Sequence, residues 1–374
     1  MELVMKNREW KSLVMGDLVA RTPIIQGGMG IGISLSGLAS AVANQGGIGV
    51  ISAAGIGMNE KDFGFRYIEA NVRALKNEIR KAREMTKGIL GVNVMVAMTN
   101  FEEMVKAAIE EGIDVIFAGA GLPLSLPHML GKSDRTKLVP IVSSGRAARV
   151  IAKSWLDTYA YTPDAAVVEG PMAGGHLGFS EDQICREELA LESIVTDVIS
   201  ELASFSENSS KSIPVIAAGG IYTGADIHRF LALGASGVQL GTRFVATDEC
   251  DASLAFKEAY VAAEKKDIGI IRSPVGLPGR AIINTFLEEI AGGIKKPFSC
   301  PFHCIHTCES KSSPYCITLA LINAKLGKFR NGFAFAGANA YRVDRIQSVR
   351  ELIETLRQEY SGSCSKVALD NCME

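Results

Sequence analysis

Val167-Val168-Glu169-Gly170-Pro171-Met172-Ala173-Gly174-Gly175-His176 is a strand that runs into a glycine turn and ends on a histidine. Ala165 to Val168 are apolar without a break, which suits a strand covered on both faces, as in a parallel sheet. Such a strand carries Glu169 and His176 to one rim. Gly174 and Gly175 lack a Cβ, so the backbone there can take positive φ and lie close against a flat ligand. Taken alone, the stretch is also compatible with an ordinary strand-to-helix loop bearing a surface histidine. The rest of the chain decides between the two.

Outward from this stretch, short apolar runs alternate with helical ones. Strands are expected at Ile24, Gly47 to Ser52, Leu90 to Val96, Asp114 to Ala118 and Val139 to Ser143, and then at Ala165 to Val168, Pro214 to Ala217 and Gly237 to Leu240. Helical segments fall at Ser34 to Asn44, Glu60 to Met85, Phe101 to Glu111, Gly145 to Trp155, Arg186 to Phe205, Thr223 to Leu233 and Ala252 to Ala263. Strands that alternate with helices give an α/β fold with a parallel sheet, either open and doubly wound or closed. Eight strands favour closure into a (β/α)8 TIM barrel. Polar and glycine residues stand at nearly every strand end (Gln26, Asn93, Gly119, Ser143, Glu169, Gly219, Gln239), where a barrel builds its site from many strands at once.

Thr22 to Gly32 followed by a small-residue helix has the order strand, glycine loop, helix, but the dinucleotide spacing fails. Leu35 stands where the third glycine of G-x-G-x-x-G belongs. A glycine loop for another planar cofactor remains. Ala217-Ala218-Gly219-Gly220-Ile221 and Leu240-Gly241-Thr242-Arg243-Phe244 follow the seventh and eighth strands, the position at which barrels grip phosphate with backbone N–H groups.

The 374 residues are 47% hydrophobic and 21% charged, with a formal charge of −2, which disfavours a nucleic-acid partner. No apolar run reaches membrane-spanning length, and Met1 to Val14 is too charged for a signal peptide, so a cytoplasmic protein is expected. Four of the eight cysteines fall in one window as C-x3-C-x3-C-x7-C: Cys300, Cys304, Cys308 and Cys316. In a reducing compartment such thiols favour iron–sulfur or zinc over disulfides, and His303 and His306 keep a mixed-ligand site open. Cys185, Cys250, Cys364 and Cys372 are scattered and are taken as small apolar or tail residues. The expected domains are a barrel over 1–290, a helical cysteine-bearing subdomain over 291–360 packing on the barrel mouth, and a mobile tail over 361–374.

Together, Pro23-Ile-Ile-Gln-Gly-Gly-Met-Gly30, Gly91-Val-Asn-Val94, Val168-Glu-Gly170 with Ala173-Gly-Gly-His176, Ala218-Gly-Gly-Ile221 and Gln239-Leu-Gly-Thr242 resemble the nitronate monooxygenase (2-nitropropane dioxygenase) family. That family includes the FMN-dependent enoyl-acyl-carrier-protein reductase II, and the resemblance spans residues 15 to 290. It implies non-covalent FMN at the barrel mouth. Flavin contacts would fall on Gly28, Met29, Gly30, Asn93 and Glu169, and phosphate contacts on Gly219, Gly220, Gly241 and Thr242 with Gln239 close by. His176, on the flexible Gly174-Gly175 turn, would be the catalytic acid/base. NAD(P)H as a transient electron donor needs no motif of its own. His128 and His228 are taken as structural or surface residues.

The cysteine window and Tyr315-Cys316-Ile317 are similar to the iron–sulfur-containing decanoyl-acyl-carrier-protein dehydrogenase/isomerase branch, which implies a [4Fe-4S] cluster on the four cysteines. Phe335 to Asp344 is also similar to that branch and is expected to fold back toward the mouth. The resemblance implies a small or carrier-bound acyl thioester as substrate and allows a homodimer. For an acidic carrier, Arg280, Lys295 and Lys296 are the expected basic landing patch. Oxidation of alkyl nitronates with O2 is the alternative reaction, and a flavin-free zinc-binding barrel is the alternative of another class.

Overall fold

The computed structural model describes residues 9–131, 134–209, 211–296 and 298–370. Leu13–Met15 (β1) and Leu18–Ala20 (β2) form an antiparallel hairpin. The next six strands are Ile24–Gln26 (β3), Ile48–Ser52 (β4), Ile89–Met95 (β5), Val115–Gly119 (β6), Lys137–Val142 (β7) and Ala166–Glu169 (β8). Beyond the two-residue β9 at Gly175–His176 come Val215–Ala218 (β10) and Gly237–Leu240 (β11). Strands β3 to β8, β10 and β11 close into one parallel barrel in chain order, sealed where Val238 pairs with Ile24. The expected strands are thus all present, each within a few residues of its expected limits.

These strands read as continuous apolar runs because both faces are covered, β4 and β6 being buried at every position. Inside the barrel, Ile25, Ile48, Val50, Phe117, Val139, Val167 and Ile216 pack on Leu13 and Met15 of the β1–β2 hairpin. That hairpin plugs the N-terminal end. Outside, the helices bury their apolar stripes against the strands, with Leu38, Leu75, Met104, Ile151, Val195 and Ile227 in one continuous core. Helix starts are capped by the sequence itself: Ser144, for example, accepts from Ala147 N–H at 3.2 Å, and Thr223 forms a capping box with Asp226. The stretch 60–66 expected to open the second helix is turn and loop, and the helix runs Tyr67–Met85.

The C-terminal end of the barrel is roofed. Ile268–Arg272 (β12) and Pro278–Ile282 (β13) pair antiparallel, and β13 continues onto β9, with Gly279 opposite His176 and Arg280 opposite Gly175. After the helix Thr285–Ala291, the cysteine segment is laced to the mouth, where Thr99 N–H donates to Cys304 O at 3.2 Å and His306 N–H to Ala97 O at 3.0 Å. The helix Ile317–Lys325 follows. The chain then returns beside β13, with Ile282 N–H donating to Ala334 O at 2.9 Å and Ala336 N–H to Arg280 O at 3.0 Å.

The last helix, Val349–Asp370, leaves the mouth and lies on the outer wall, where Glu359 accepts from Gly224 N–H at 2.7 Å. Residues 361–370, expected as tail, are the continuation of this helix. Residues 1–8 and 371–374, with Cys372, lie outside the described residues. No helix among the described residues is long and apolar enough to cross a membrane.

Candidate active site

Between barrel and roof lies a hollow of about 760 Å3, inside the usual range of small-molecule sites. The loop after β3 brings Gly28, Met29 and Gly30, while β5 and β8 bring Asn93 and Glu169. Gly174, Gly175 and His176 arrive on the turn that becomes β9. Gly219 and Gly220 follow β10, Gln239 lies on β11, and Gly241 and Thr242 follow β11. Every flavin, phosphate and catalytic position expected from the sequence therefore lines this one chamber. The segment expected to fold back does so, with Phe335, Ala336 and Asn339 in the same wall. His128 and His228 stay away, packed on the rings of Tyr159 and Tyr360.

The turn carrying His176 is clamped by a buried arginine. One guanidinium nitrogen of Arg280 donates to Pro171 O at 2.6 Å and to Ala173 O at 2.7 Å. Arg280 is only 8% exposed, so it is no landing site for an acidic carrier; β13 turns it inward, behind the glycine turn. Lys296 is paired to Glu289 at 2.5 Å. The His176 ring meets the edge of Phe335 at 4.9 Å between centroids, and its Nε2 lies 2.8 Å from Ser273 Oγ. Ser273 sits 97 residues further along the chain, so no local pattern could have announced the contact.

Burial sets the charges. The His176 imidazole is pushed down to about 4, because the apolar surroundings disfavour the cation. The Glu169 carboxyl is pushed up to about 7 for the same reason, and no side chain among the described residues pairs with it. The site therefore keeps a neutral imidazole at neutral pH and a carboxyl poised between its two forms.

The glycine cradle fits a planar phosphorylated cofactor. Gly219 and Gly220 take φ of +94° and +89°, successive left-handed residues that turn backbone N–H groups into a concavity. Among the described residues the N–H groups of Gly219, Gly220, Gly241 and Thr242 donate to no backbone carbonyl, which leaves them free for phosphate oxygens. Asn339 Nδ2 donates to Gly220 O at 2.6 Å, and Thr242 Oγ1 accepts from Gly337 N–H at 3.1 Å, so the roof segment braces both loops.

A family profile described as nitronate monooxygenase matches residues 12–359. The chain belongs to the nitronate monooxygenase family. That family is one of FMN-dependent oxidoreductases. Among curated relatives, a (3aS,4S,5R,7aS)-5-hydroxy-7a-methyl-1-oxo-octahydro-1H-indene-4-carboxyl-CoA dehydrogenase of Mycobacterium tuberculosis is 27% identical over 72% of this chain and 66% of its own length. Its counterpart in Rhodococcus jostii is 28% identical over 71% and 63%, so the match spans a little under two thirds of these dehydrogenases. A probable nitronate monooxygenase of Staphylococcus saprophyticus is 26% identical over 74% of this chain and 80% of its own length. Among solved structures, FabK from Thermotoga maritima superposes with a TM-score of 0.71 at 28% identity, covering 93% of this chain and 95% of that one.

A second cavity of about 210 Å3 lies behind the first, lined by all four cysteines of the window and by His303 and His306. Cys304, Ile305 and Ile317 line both cavities and form the wall between them. Cys304 and Cys316 are buried, and burial pushes both thiols up. No three His, Cys, Asp or Glu side chains among the described residues converge as a single metal ion requires. The thiols ring a space rather than a point.

Proposed function

We propose that this oxidoreductase acts on an acyl thioester of coenzyme A or of an acyl-carrier protein. The observation that carries the reading is the apolar wall that the hollow has in addition to its polar groups, made by Met98, Val275, Leu277, Ile305, Ile317 and Leu321. An acyl chain fits such a wall, and the polar rim at the glycine loops suits a phosphorylated cofactor. The CoA dehydrogenases among the relatives support the same substrate class.

FMN, held by the glycine loops after β3, β10 and β11 with Asn93 and Glu169 beside it, supplies hydride exchange at carbon. The chain does the remaining work. The Gly174-Gly175 turn brings the imidazole of His176 to the reacting end of the thioester. Arg280 keeps that turn in place. The β9–β12–β13 roof and Phe335 exclude water from the chamber.

The four cysteines are assigned to a polynuclear iron–sulfur cluster. A single ion draws its thiolates to about 2.3 Å, whereas a cluster spreads them by its own width, which suits thiols ringing a cavity. The same arrangement weighs against the zinc alternative.

Anaerobic titration of the flavin-loaded enzyme with saturated and 2-enoyl thioesters of graded chain length, following the flavin band, tests the substrate. Bleaching or recovery with one chain-length range is expected, and no spectral response at any length removes the reading. The competing reaction, oxidation of alkyl nitronates, is supported by the probable nitronate monooxygenases among the relatives, and oxygen consumption with propyl-2-nitronate would favour it. Iron and acid-labile sulfide measured on anaerobically purified protein test the cluster.

A further inference from the structure

The contact between His176 and Ser273 bears on which ring nitrogen carries the proton. Ser273 ends β12 and shapes the turn to β13: its N–H donates to Leu277 O, and its carbonyl accepts from Gly276 N–H, both at 3.0 Å. The residue is 3% exposed. Among the described residues its Oγ has two hydrogen-bond partners, Val275 N–H at 3.4 Å and His176 Nε2 at 2.8 Å.

A hydroxyl has one proton to give and two lone pairs to accept with. With the ring proton on Nε2, Oγ would accept twice, and its own proton would face no acceptor among the described residues, a costly arrangement in a buried site. The reverse assignment leaves nothing over. Val275 N–H donates to Oγ, Oγ–H donates to Nε2, and the ring proton resides on Nδ1. Nδ1 has no partner among the described residues and is not among their sealed, unpartnered polar atoms, and His176 lines the hollow.

We propose that Ser273 is a positioning residue that fixes His176 in the Nδ1–H tautomer, so that a neutral imidazole meets the substrate as a hydrogen-bond donor to its carbonyl oxygen and not as a base. The role assigned to the donor rests on the thioester reading above; the tautomer does not. A fixed N–H aimed at the thioester oxygen stabilises negative charge that develops there without the imidazole ionising. Burial, which holds the ring neutral, serves the same end.

The test is 15N NMR of the histidine-labelled, flavin-free protein, with H176N to assign the His176 signals among the five histidines. We expect His176 protonated at Nδ1 in the wild type and in S273T, with that preference lost in S273A. In flavin-loaded enzyme, S273A should bind FMN as tightly as wild type and lower kcat for a thioester at least tenfold at little-changed KM, and S273T should recover most of it. A wild-type spectrum with the proton on Nε2, or an S273A spectrum that keeps the Nδ1 tautomer, overturns the proposal. The spectra need no substrate, so absence of thioester turnover would remove the substrate reading and leave the tautomer standing or fallen on its own.

Discussion

Gly28 faces Asn93 so closely that a Cβ on the glycine would fall 2.3 Å from Asn93 Cβ. The first loop of the site and the third barrel strand thus meet with no room for even a methyl group. G28A should force Asn93 out of place, at about 1–3 kcal/mol in stability, and weaken FMN binding at least tenfold. Replacing Asn93 as well removes the obstacle, so G28A/N93G should be more stable than the sum of the single changes predicts. Additive unfolding midpoints would show that the two residues do not press on each other.

Arg280 is the only link holding Pro171 O and Ala173 O among the hydrogen bonds described for this turn. R280A leaves two carbonyls without their donor, each worth about 1–3 kcal/mol if buried and unsatisfied. A fall in Tm of several degrees is expected, with kcat lowered through a loosened His176 turn. R280K, which keeps a charge and N–H donors but loses the planar guanidinium that places its nitrogen between the two carbonyls, should fall between the two. An R280A protein as stable and active as wild type would rule out the clamp.

Glu169 and His176 make opposite contributions to pH-dependent stability. The His176 imidazole drops from 6.5 to about 4, so between those values the unfolded chain holds one more proton and stability rises with pH. The Glu169 carboxyl climbs from 4.5 to about 7, so in that window the folded chain holds the extra proton and stability falls as pH rises. From pH 4.5 to 6.5 the two slopes cancel. In flavin-free protein, E169Q removes one of them and should gain stability with pH, relative to wild type, by about 1.4 kcal/mol per unit across that window. Urea midpoints of the two proteins measured from pH 4.5 to 6.5 check this, and parallel curves would exclude it.

Asn339 reaches across from the roof segment to Gly220 O at 2.6 Å. N339A should therefore raise the Kd for FMN about tenfold while leaving the flavin-free barrel nearly as stable as before. Fluorescence titration of FMN reads the first and thermal unfolding the second. A variant that loses stability but binds FMN normally would show that the contact serves the fold and not the cofactor loop.

The barrel was legible because each of its strands is a short apolar run between helical stretches, and the parallel closed sheet buries both faces of each run. The cofactor positions were legible because glycine loops and polar strand ends gather at one rim in this topology. Partners brought in from afar were not. Ser273 and Arg280 reach the His176 turn through the β12–β13 hairpin, whose Gly269, Pro278 and Gly279 interrupt any strand pattern. Arg280 read as a surface cation because nothing nearby in sequence says that it turns inward. Ser361-Gly362-Ser363 looked like a tail, since small polar residues weaken a helical pattern; the helix persists because its earlier turns are anchored, with Leu352, Ile353 and Leu356 in the barrel's outer core.

Cys304 stands in the partition between the two chambers, whereas Cys300 and Cys308 line only the rear one. A small alkylating reagent can therefore approach Cys304 from the front as well as the back. In cluster-free, flavin-loaded protein, adding an acyl thioester should shield Cys304 from labelling on that side and leave Cys300 and Cys308 as reactive as before, which turns this one sulfur into a footprint of what fills the chamber ahead of it.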